Sequence, residues 1–114
     1  MKVDIIILLG GFGTRLKDIT KNKPKALMPI GDKKFLDYLV KKIMNYNINK
    51  IYLSLFYKSD LFIDYINQTN FAIELIPIIE PNPMGTGGAI NYIISNSSIS
   101  NTFIVVNGDS LSKI

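Results

Sequence analysis

Neither cysteine nor histidine occurs anywhere in the 114 residues. Without cysteine there is no disulfide scaffold, no thiol nucleophile and no cysteine-ligated zinc, and the composition fits a reducing cytoplasm. Without histidine the side chain that most often moves protons in catalysis is missing. Long apolar runs are missing too: no stretch reaches the ~18 residues of a membrane-spanning helix. Met1-Lys2-Val3-Asp4, followed by a short apolar run with no small-residue cleavage site, makes a poor signal peptide. The net charge of +4 is modest and the lysines are scattered, without the aromatic platforms of a single-strand binder. Neither a nucleic acid nor a membrane is therefore expected as a partner. With 47% hydrophobic residues the chain can bury one core, and it contains no internal repeat, linker or low-complexity segment.

What is present is a set of glycine- and proline-rich turns at the ends of apolar runs. Gly10-Gly11-Phe12-Gly13-Thr14-Arg15 follows directly on Ile5 to Leu9. Glycines allow the main chain to approach a ligand without a Cβ in the way, and successive amides together with Arg15 can face an anion. The likeness to a dinucleotide fingerprint fails at its third glycine, where Leu16 stands, and no phosphate loop ending in Gly-Lys-Ser/Thr occurs. A glycine turn serving only strand-to-helix geometry is the plain alternative. The second segment, Lys23-Pro24-Lys25-Ala26-Leu27-Met28-Pro29-Ile30, uses two prolines to stiffen an extended loop and so to position Lys25. Arg15, Lys17, Lys21, Lys23 and Lys25 face a single acid, Asp18, in this stretch, a local positive field that would draw a triphosphate. A solvated basic loop would have the same composition.

The third segment, Glu80-Pro81-Asn82-Pro83-Met84-Gly85-Thr86-Gly87-Gly88-Ala89, enters a helix whose apolar residues recur as Ala89, Ile90, Ile93 and Ile94. Thr86 is the expected N-cap. Paired glycines in a helix cost ~1 kcal/mol each relative to alanine, so a close approach by a flat base or a neighbouring backbone is expected there. The fourth, Phe103-Ile104-Val105-Val106-Asn107-Gly108-Asp109, reads as a buried parallel strand whose carboxyl end projects Asp109. Ligands of open α/β sheets bind at that end, where Asp109 is a candidate for Mg²⁺, the alternative being a turn or capping residue.

The elements expected are strands 3–9, 50–56, 71–76 and 102–107 alternating with helices 35–46, 60–68 and 86–96, and loops over 10–34 and 77–85. Leu36, Leu39, Val40 and Ile43 form the buried stripe of the first of these helices. Tyr52, Phe56, Phe62 and Phe71 are expected in the core. Alternation with right-handed crossovers gives an α/β, Rossmann-like, mostly parallel sheet with strand order 3-2-1-4 and helices on both faces.

Taken in order, G-G-x-G-T-R-L, P-K, G-T-G-G-A and G-D resemble the N-terminal half of the sugar-1-phosphate nucleotidyltransferases over nearly the whole chain. Pro24-Lys25-Ala26-Leu27-Met28-Pro29-Ile30 and Met84-Gly85-Thr86-Gly87-Gly88-Ala89-Ile90 are most similar to the guanylyltransferases acting on heptose 1-phosphate or mannose 1-phosphate. The resemblance implies that residues 1–114 are the N-terminal nucleotide-binding part of a nucleotidyltransferase domain in the cytoplasm, serving nucleotide-sugar and cell-surface polysaccharide synthesis. It implies roles for Leu9, Gly10 and Gly11 in nucleotide binding, with Leu9 and Gly11 against the base, and for Gly13, Thr14 and Arg15 at the triphosphate. Lys25 would act with Arg15 in catalysis. Gly87 or Gly88 would border the base, with Glu80 nearby as a hydrogen-bonding partner, and Asp109 would bind Mg²⁺. The substrates implied are an NTP, GTP favoured, and a sugar 1-phosphate. The phosphate nucleophile is already ionised at neutral pH, so the absence of histidine is no obstacle. Self-association into a homo-oligomer is left open.

The chain departs from that family in length. Related enzymes run to about twice its size, and their second half supplies most of the sugar-phosphate pocket and a further metal-binding Asp. The expectation is therefore a fold truncated after the fourth core strand, which would leave strand 102–107 at an edge with unpaired amides. A nucleotide-binding module, or a subunit that depends on a partner for catalysis, is the alternative function. A metal-dependent glycosyltransferase is disfavoured because Asp109-Ser110-Leu111 lacks the second acid of a D-x-D motif.

Overall fold

A computed structural model describes residues 2–9, 24–82 and 84–108. Four strands form one parallel sheet: β1 (Val3–Leu8), β4 (Ile48–Leu55), β5 (Leu75–Ile79) and β6 (Phe103–Asn107), in the order β5-β4-β1-β6. That is the expected 3-2-1-4 arrangement. Between β1 and β4 the chain makes a short 3-10 turn (Lys25–Leu27) and a two-stranded hairpin of β2 (Pro29–Ile30) and β3 (Lys33–Lys34), then α1 (Phe35–Ile43). Helices α2 (Ser59–Gln68) and α3 (Gly85–Asn96) complete the unit.

The sheet is covered on both faces because its strands are apolar on both. Ile5, Ile7, Ile51, Leu53 and Leu55 face α1 and α2, packing with Leu36, Leu39, Val40, Ile43, Phe62 and Tyr65. Ile6 and Tyr52 point the other way and meet Ile93 of α3. Leu36, Leu39, Val40 and Ile43 recur at helical spacing and are all buried, the stripe expected from the sequence. Of the four aromatics expected in the core, Tyr52 and Phe62 are buried, while Phe56 and Phe71 are half-buried.

Several expected bounds shift: helix 35–46 ends at Ile43, strand 50–56 begins at Ile48, and two segments differ more. Strand 71–76 is observed at Leu75–Ile79, with Pro77 inside it. The Ile51 amide donates to the Glu74 carbonyl (3.1 Å) and the Glu80 amide to the Leu55 carbonyl (2.8 Å), so the even-numbered residues of this segment bond to β4. Pro77 belongs to the alternate set, and its missing N–H faces the edge that is open among the described residues. The expected loop 10–34 contains, in its described part, the 3-10 turn and the hairpin. The Leu27 amide donates to the Pro24 carbonyl (3.0 Å), and the Tyr38 hydroxyl donates to the Ile30 carbonyl (3.0 Å).

At the amino-terminal end of the sheet the pairing of β1 with β4 slips by one residue between Val3 and Ile5. Asp4, 1% exposed, repairs the slip: its carboxylate accepts the Lys50 amide (3.2 Å) and, on its other oxygen, the Ser100 amide (2.8 Å). One side chain thus joins β4 and the segment leading into β6 to the central strand. Asp37 does similar work on the surface layer. It accepts the Lys34 amide (2.8 Å) at the start of α1 and the Tyr65 hydroxyl (2.6 Å) from α2. Burial first, then the hydrogen bond to Asp37 and that residue's negative charge, hold the Tyr65 phenol well above the ordinary tyrosine pKa.

Asp4→Ala orphans two amides and is expected to destabilise the chain by about 1–3 kcal/mol, with Asp4→Asn intermediate, read from urea unfolding. A stability equal to the parent's would show that water replaces the carboxylate. Because the Tyr65 pKa is raised in the folded state, its contribution is fully present below the unfolded value of ~10 and is lost as pH rises above it. Stability should therefore fall above that pH in the parent and fall less steeply in Tyr65→Phe.

Candidate functional site

The strand ends collect at the carboxyl edge of the sheet, and hydrogen bonds set them side by side. The Leu9 amide donates to the Ser54 carbonyl (2.9 Å), the Gly108 amide to the Leu8 carbonyl (3.1 Å), and the Glu80 amide to the Leu55 carbonyl (2.8 Å). Read across the sheet, this edge runs Glu80, Leu55 and Ser54, Leu8 and Leu9, then Asn107 and Gly108. Leu9 and Glu80 are thus brought to one edge. Gly10, Gly11, Gly13, Thr14, Arg15 and Asp109 lie outside the described residues. Gly10 follows Leu9 directly, however, and Asp109 follows Gly108, so both segments depart from adjacent strands at this edge.

Gly108 is buried, and the space beside it is closed. A Cβ there would run into the Leu9 side chain and come 2.9 Å from the Leu8 carbonyl oxygen. The glycine therefore lets β6 lie against the end of β1, at the point where both strands give way to the candidate ligand-binding segments.

Lys25 begins the 3-10 turn, whose next two residues, Ala26 and Leu27, are buried in the same apolar cluster as Leu55, with Leu9 packed against it. Burying these two residues fixes the backbone that carries Lys25; its side chain lies outside what is described. The Phe35 amide donates to the Met28 carbonyl (3.0 Å), which ties the following segment to the start of α1.

Helix α3 starts at Gly85, one residue before the expected bound, and its N-cap is Met84 rather than Thr86. Thr86 lies inside the first turn, and no side chain caps the helix. Gly85 sits at φ +71°, a left-handed conformation that glycine adopts without strain. The two glycines that follow differ in surroundings. A Cβ on Gly88 would come 2.7 Å from the Met84 Cβ, whereas one on Gly87 would meet nothing within 4 Å. Gly88 thus answers to packing against Met84, and Gly87 faces open space next to uncapped amides. The amino end of a helix with such amides favours an anion or an electronegative edge.

Glu80 is 6% exposed, and its carboxylate turns inward. One oxygen accepts the Ser54 hydroxyl (3.3 Å) and the other the Met84 amide (3.2 Å). Ser54 and Met84 were not among the residues expected from sequence. Ser54 carried only the faint signal of a small hydroxyl between two leucines. Met84 carried none, because it acts through its main chain. Among the described residues no cluster of three acidic residues could hold a metal ion. No helix is long and apolar enough to cross a membrane, among the described residues.

Comparison with known proteins gives a match to the family model described as nucleotidyl transferase over residues 4–114. A D-glycero-α-D-manno-heptose 1-phosphate guanylyltransferase of Campylobacter jejuni is 38% identical over 96% of this chain and 48% of its own. A mannose-1-phosphate guanylyltransferase of Mycobacterium tuberculosis is 32% identical over 97% of this chain and 31% of its own. Among solved structures, HddC of Yersinia pseudotuberculosis, including its complex with GMP-PN, superposes with a TM-score of 0.83 at 40% identity, covering 94% of this chain and 48% of that one. The chain thus spans less than half the length of these relatives.

The two glycines at this edge with opposite surroundings should respond oppositely to alanine. Gly108→Ala is expected to destabilise by about 1–3 kcal/mol as Leu9 and the ends of β1 and β6 are forced apart. Gly87→Ala, in open space within a helix, is expected to be neutral or to stabilise by up to ~1 kcal/mol. Thermal and urea unfolding of the two variants read the difference; equal behaviour would mean that the edge is looser than described.

Proposed function

The chain belongs to the nucleotidyl transferase family, and from that premise we propose that it forms the nucleotide-binding part of an enzyme that transfers NMP from an NTP to a sugar 1-phosphate. The observation that carries this reading is the convergence of Leu9, Glu80, the start of α3 and Gly108 on one sheet edge. GTP is the favoured nucleotide and a heptose or mannose 1-phosphate the favoured acceptor. Support for that choice comes from the names of the Campylobacter and mycobacterial relatives and from the guanine nucleotide analogue bound to the Yersinia protein. A place in nucleotide-sugar synthesis for cell-surface polysaccharide, in the cytoplasm, follows from the same choice.

The proposed reaction is an in-line displacement. An oxygen of the sugar phosphate attacks the α-phosphorus, the bond from that phosphorus to the β-phosphate bridging oxygen breaks, and pyrophosphate leaves. The nucleophile is already ionised, so the protein needs to position two anions and neutralise charge rather than move a proton. Leu9, Gly10 and Gly11 take the nucleoside, Gly13, Thr14 and Arg15 hold the triphosphate, and Lys25 neutralises charge at the α-phosphate. Gly87, open at the start of α3, borders the base, with Gly88 behind it on Met84. Asp109, next to the closed Gly108 contact, would hold Mg²⁺, which when bound supplies further neutralisation of the phosphates.

A second reading is a nucleotide-binding module that relies on a partner for catalysis. Strand β6, expected to be buried, has Ile104 and Val105, on opposite faces, 52% and 37% exposed.

Pyrophosphate release, measured for four NTPs against a panel of sugar 1-phosphates with the natural gene product, is expected to be fastest with GTP. Lys25→Ala and Asp109→Asn should each lower kcat by about 100-fold, the loss typical of removing one preorganised electrostatic group. Unchanged rates would strip those residues of their roles. Nucleotide binding without release under any combination would favour the module over the enzyme.

A further inference from the structure

Asn107-Gly108 is the one Asn-Gly pair in the sequence, and it falls at the end of β6. A glycine in second place leaves its amide nitrogen free of the side chain that would otherwise hinder its approach to the asparagine carboxamide. The Asn107 side chain is exposed, and among the described residues it makes no hydrogen bond. Its electrophilic carbon is therefore unguarded. The nucleophile is not: the Gly108 amide is buried and donates to the Leu8 carbonyl at 3.1 Å, beside the parallel pairing of Leu8 with Asn107. An amide committed to β1 from an extended strand does not turn back onto the side chain before it. Ring closure has to wait until β6 parts from β1.

Little holds the strand against such parting. β6 is an edge strand among the described residues; Ile104 and Val105 are largely open, and of its apolar side chains Phe103 and Val106 pack against the two cores. Elements with few buried contacts open locally at a fraction of the free energy of global unfolding. Asn96-Ser97 provides the contrast. There the Asn96 Nδ2 donates to the Tyr92 carbonyl (2.8 Å), which ties down the group that would leave, and Ser97 carries a Cβ.

We propose that Asn107 is a site of spontaneous covalent modification, deamidating through a cyclic imide formed with the Gly108 nitrogen when β6 opens, and that the closed space at Gly108 makes the change one-way. The Gly108 amide gives its proton to a solvent base and its nitrogen attacks the Asn107 Cγ. A C–N bond forms there, the Cγ–Nδ2 bond breaks, and ammonia leaves with a proton returned from solvent. Water then opens the imide, at Cγ to give aspartate or at the main-chain carbonyl to give isoaspartate. One water is consumed and one ammonia released, and no other reactant is needed. In isoaspartate the main chain runs through Cβ and Cγ and is one carbon longer. The join it must re-enter is tight, since a Cβ on Gly108 would already collide with the Leu9 side chain and come 2.9 Å from the Leu8 carbonyl oxygen. A longer main chain has no room there, so the pairing of residue 107 with Leu8 does not re-form. This chemistry belongs to the chain itself and is independent of what binds at the sheet edge.

The full chain, held at mildly alkaline pH, tests this by peptide mass mapping, enzymatic methylation of isoaspartate and amide hydrogen exchange at Gly108. In urea Asn107 is expected to be the first asparagine modified, ahead of Asn96. In the folded parent its modification should slow by the factor by which Gly108 exchange is protected, because a reaction that needs the open form follows the population of that form. Phe103→Ala, which removes an anchor of β6, should speed modification and exchange alike by about tenfold. Should that variant not fold, low concentrations of urea added to the parent should raise the two rates in step. Asn107→Gln, whose ring would need one more atom, should stay unmodified over the same period with parental exchange. The purified isoaspartate form should exchange at Gly108 at least about tenfold faster than the parent, and should stay so on return to neutral pH. Modification in the folded parent as fast as in urea, rates that part from Gly108 exchange, or another asparagine reacting first would each overturn the proposal. An isoaspartate form with parental exchange at Gly108 would overturn its one-way character.

Discussion

The hydrogen bonds that β1 makes to both of its neighbours govern the position of everything at the carboxyl edge. A central parallel strand has its amides and carbonyls committed alternately left and right, so its register fixes where β4 and β6 end relative to it. In this chain the pairing of Leu8 with Ser54 on one side and with Asn107 on the other brings three strand ends level. The next residues of each, Leu9, Leu55 and Gly108, are then neighbours without any side-chain contact being needed to recruit them. A slip of one residue in either pairing would turn Ile5, Ile6 and Ile7 to the wrong faces and part the site residues at the same time. The apolar cores on the two faces of the sheet thus protect the geometry of the edge.

Asp4, Ser54 and Glu80 are the buried polar residues among those described, and they lie at opposite ends of the strands. Asp4 accepts an amide from β4, where its register with β1 slips, and one from the segment entering β6. Glu80 and Ser54 join the carboxyl end of β4 to the start of α3. No buried side-chain nitrogen or oxygen lacks a partner, among the described residues. Apolar contacts are non-directional and could tolerate small rotations of a helix or a turn. Fixed acceptors at either end remove that freedom where a loop must be placed rather than merely covered.

Sequence periodicity revealed the sheet, its order and the helices on both faces, because alternation of strands and helices with a fixed crossover hand leaves few topologies. The buried stripe of α1 was legible for the same reason: Leu36, Leu39, Val40 and Ile43 cannot be arranged as anything else so economically. Strand β5 was misplaced because Pro77 reads locally as a breaker, and only the pairing partner reveals that its absent N–H faces away from β4. Thr86 was misread as a cap because the preference of Thr for that place is local, whereas the actual start of α3 coincides with the left-handed Gly85 and with the Glu80 carboxylate bonded to the Met84 amide. That Leu9 and Glu80 end strands at one edge was legible because glycine and proline follow them. Ser54 and Met84 were not, since a hydroxyl in a strand and a main-chain amide announce themselves only when a partner distant in sequence arrives.

The two adjacent glycines of α3 show how one motif can serve two needs. Each weakens the helix in isolation by ~1 kcal/mol relative to alanine, so a pair in its first turn calls for two separate reasons. For Gly88 the reason is internal, since the Met84 side chain occupies the place of a Cβ. No such obstruction surrounds Gly87, where alanine would fit and would favour the helix. A residue that forgoes helical stability without a packing cause points outward to something that must come close. In the proposed enzyme that would be the flat face of a base. The catalytic requirement of the proposed reaction would then be met without histidine or cysteine: backbone would receive the nucleoside, and Lys25, whose main chain is fixed by the buried Ala26 and Leu27, would answer the charge of the phosphates.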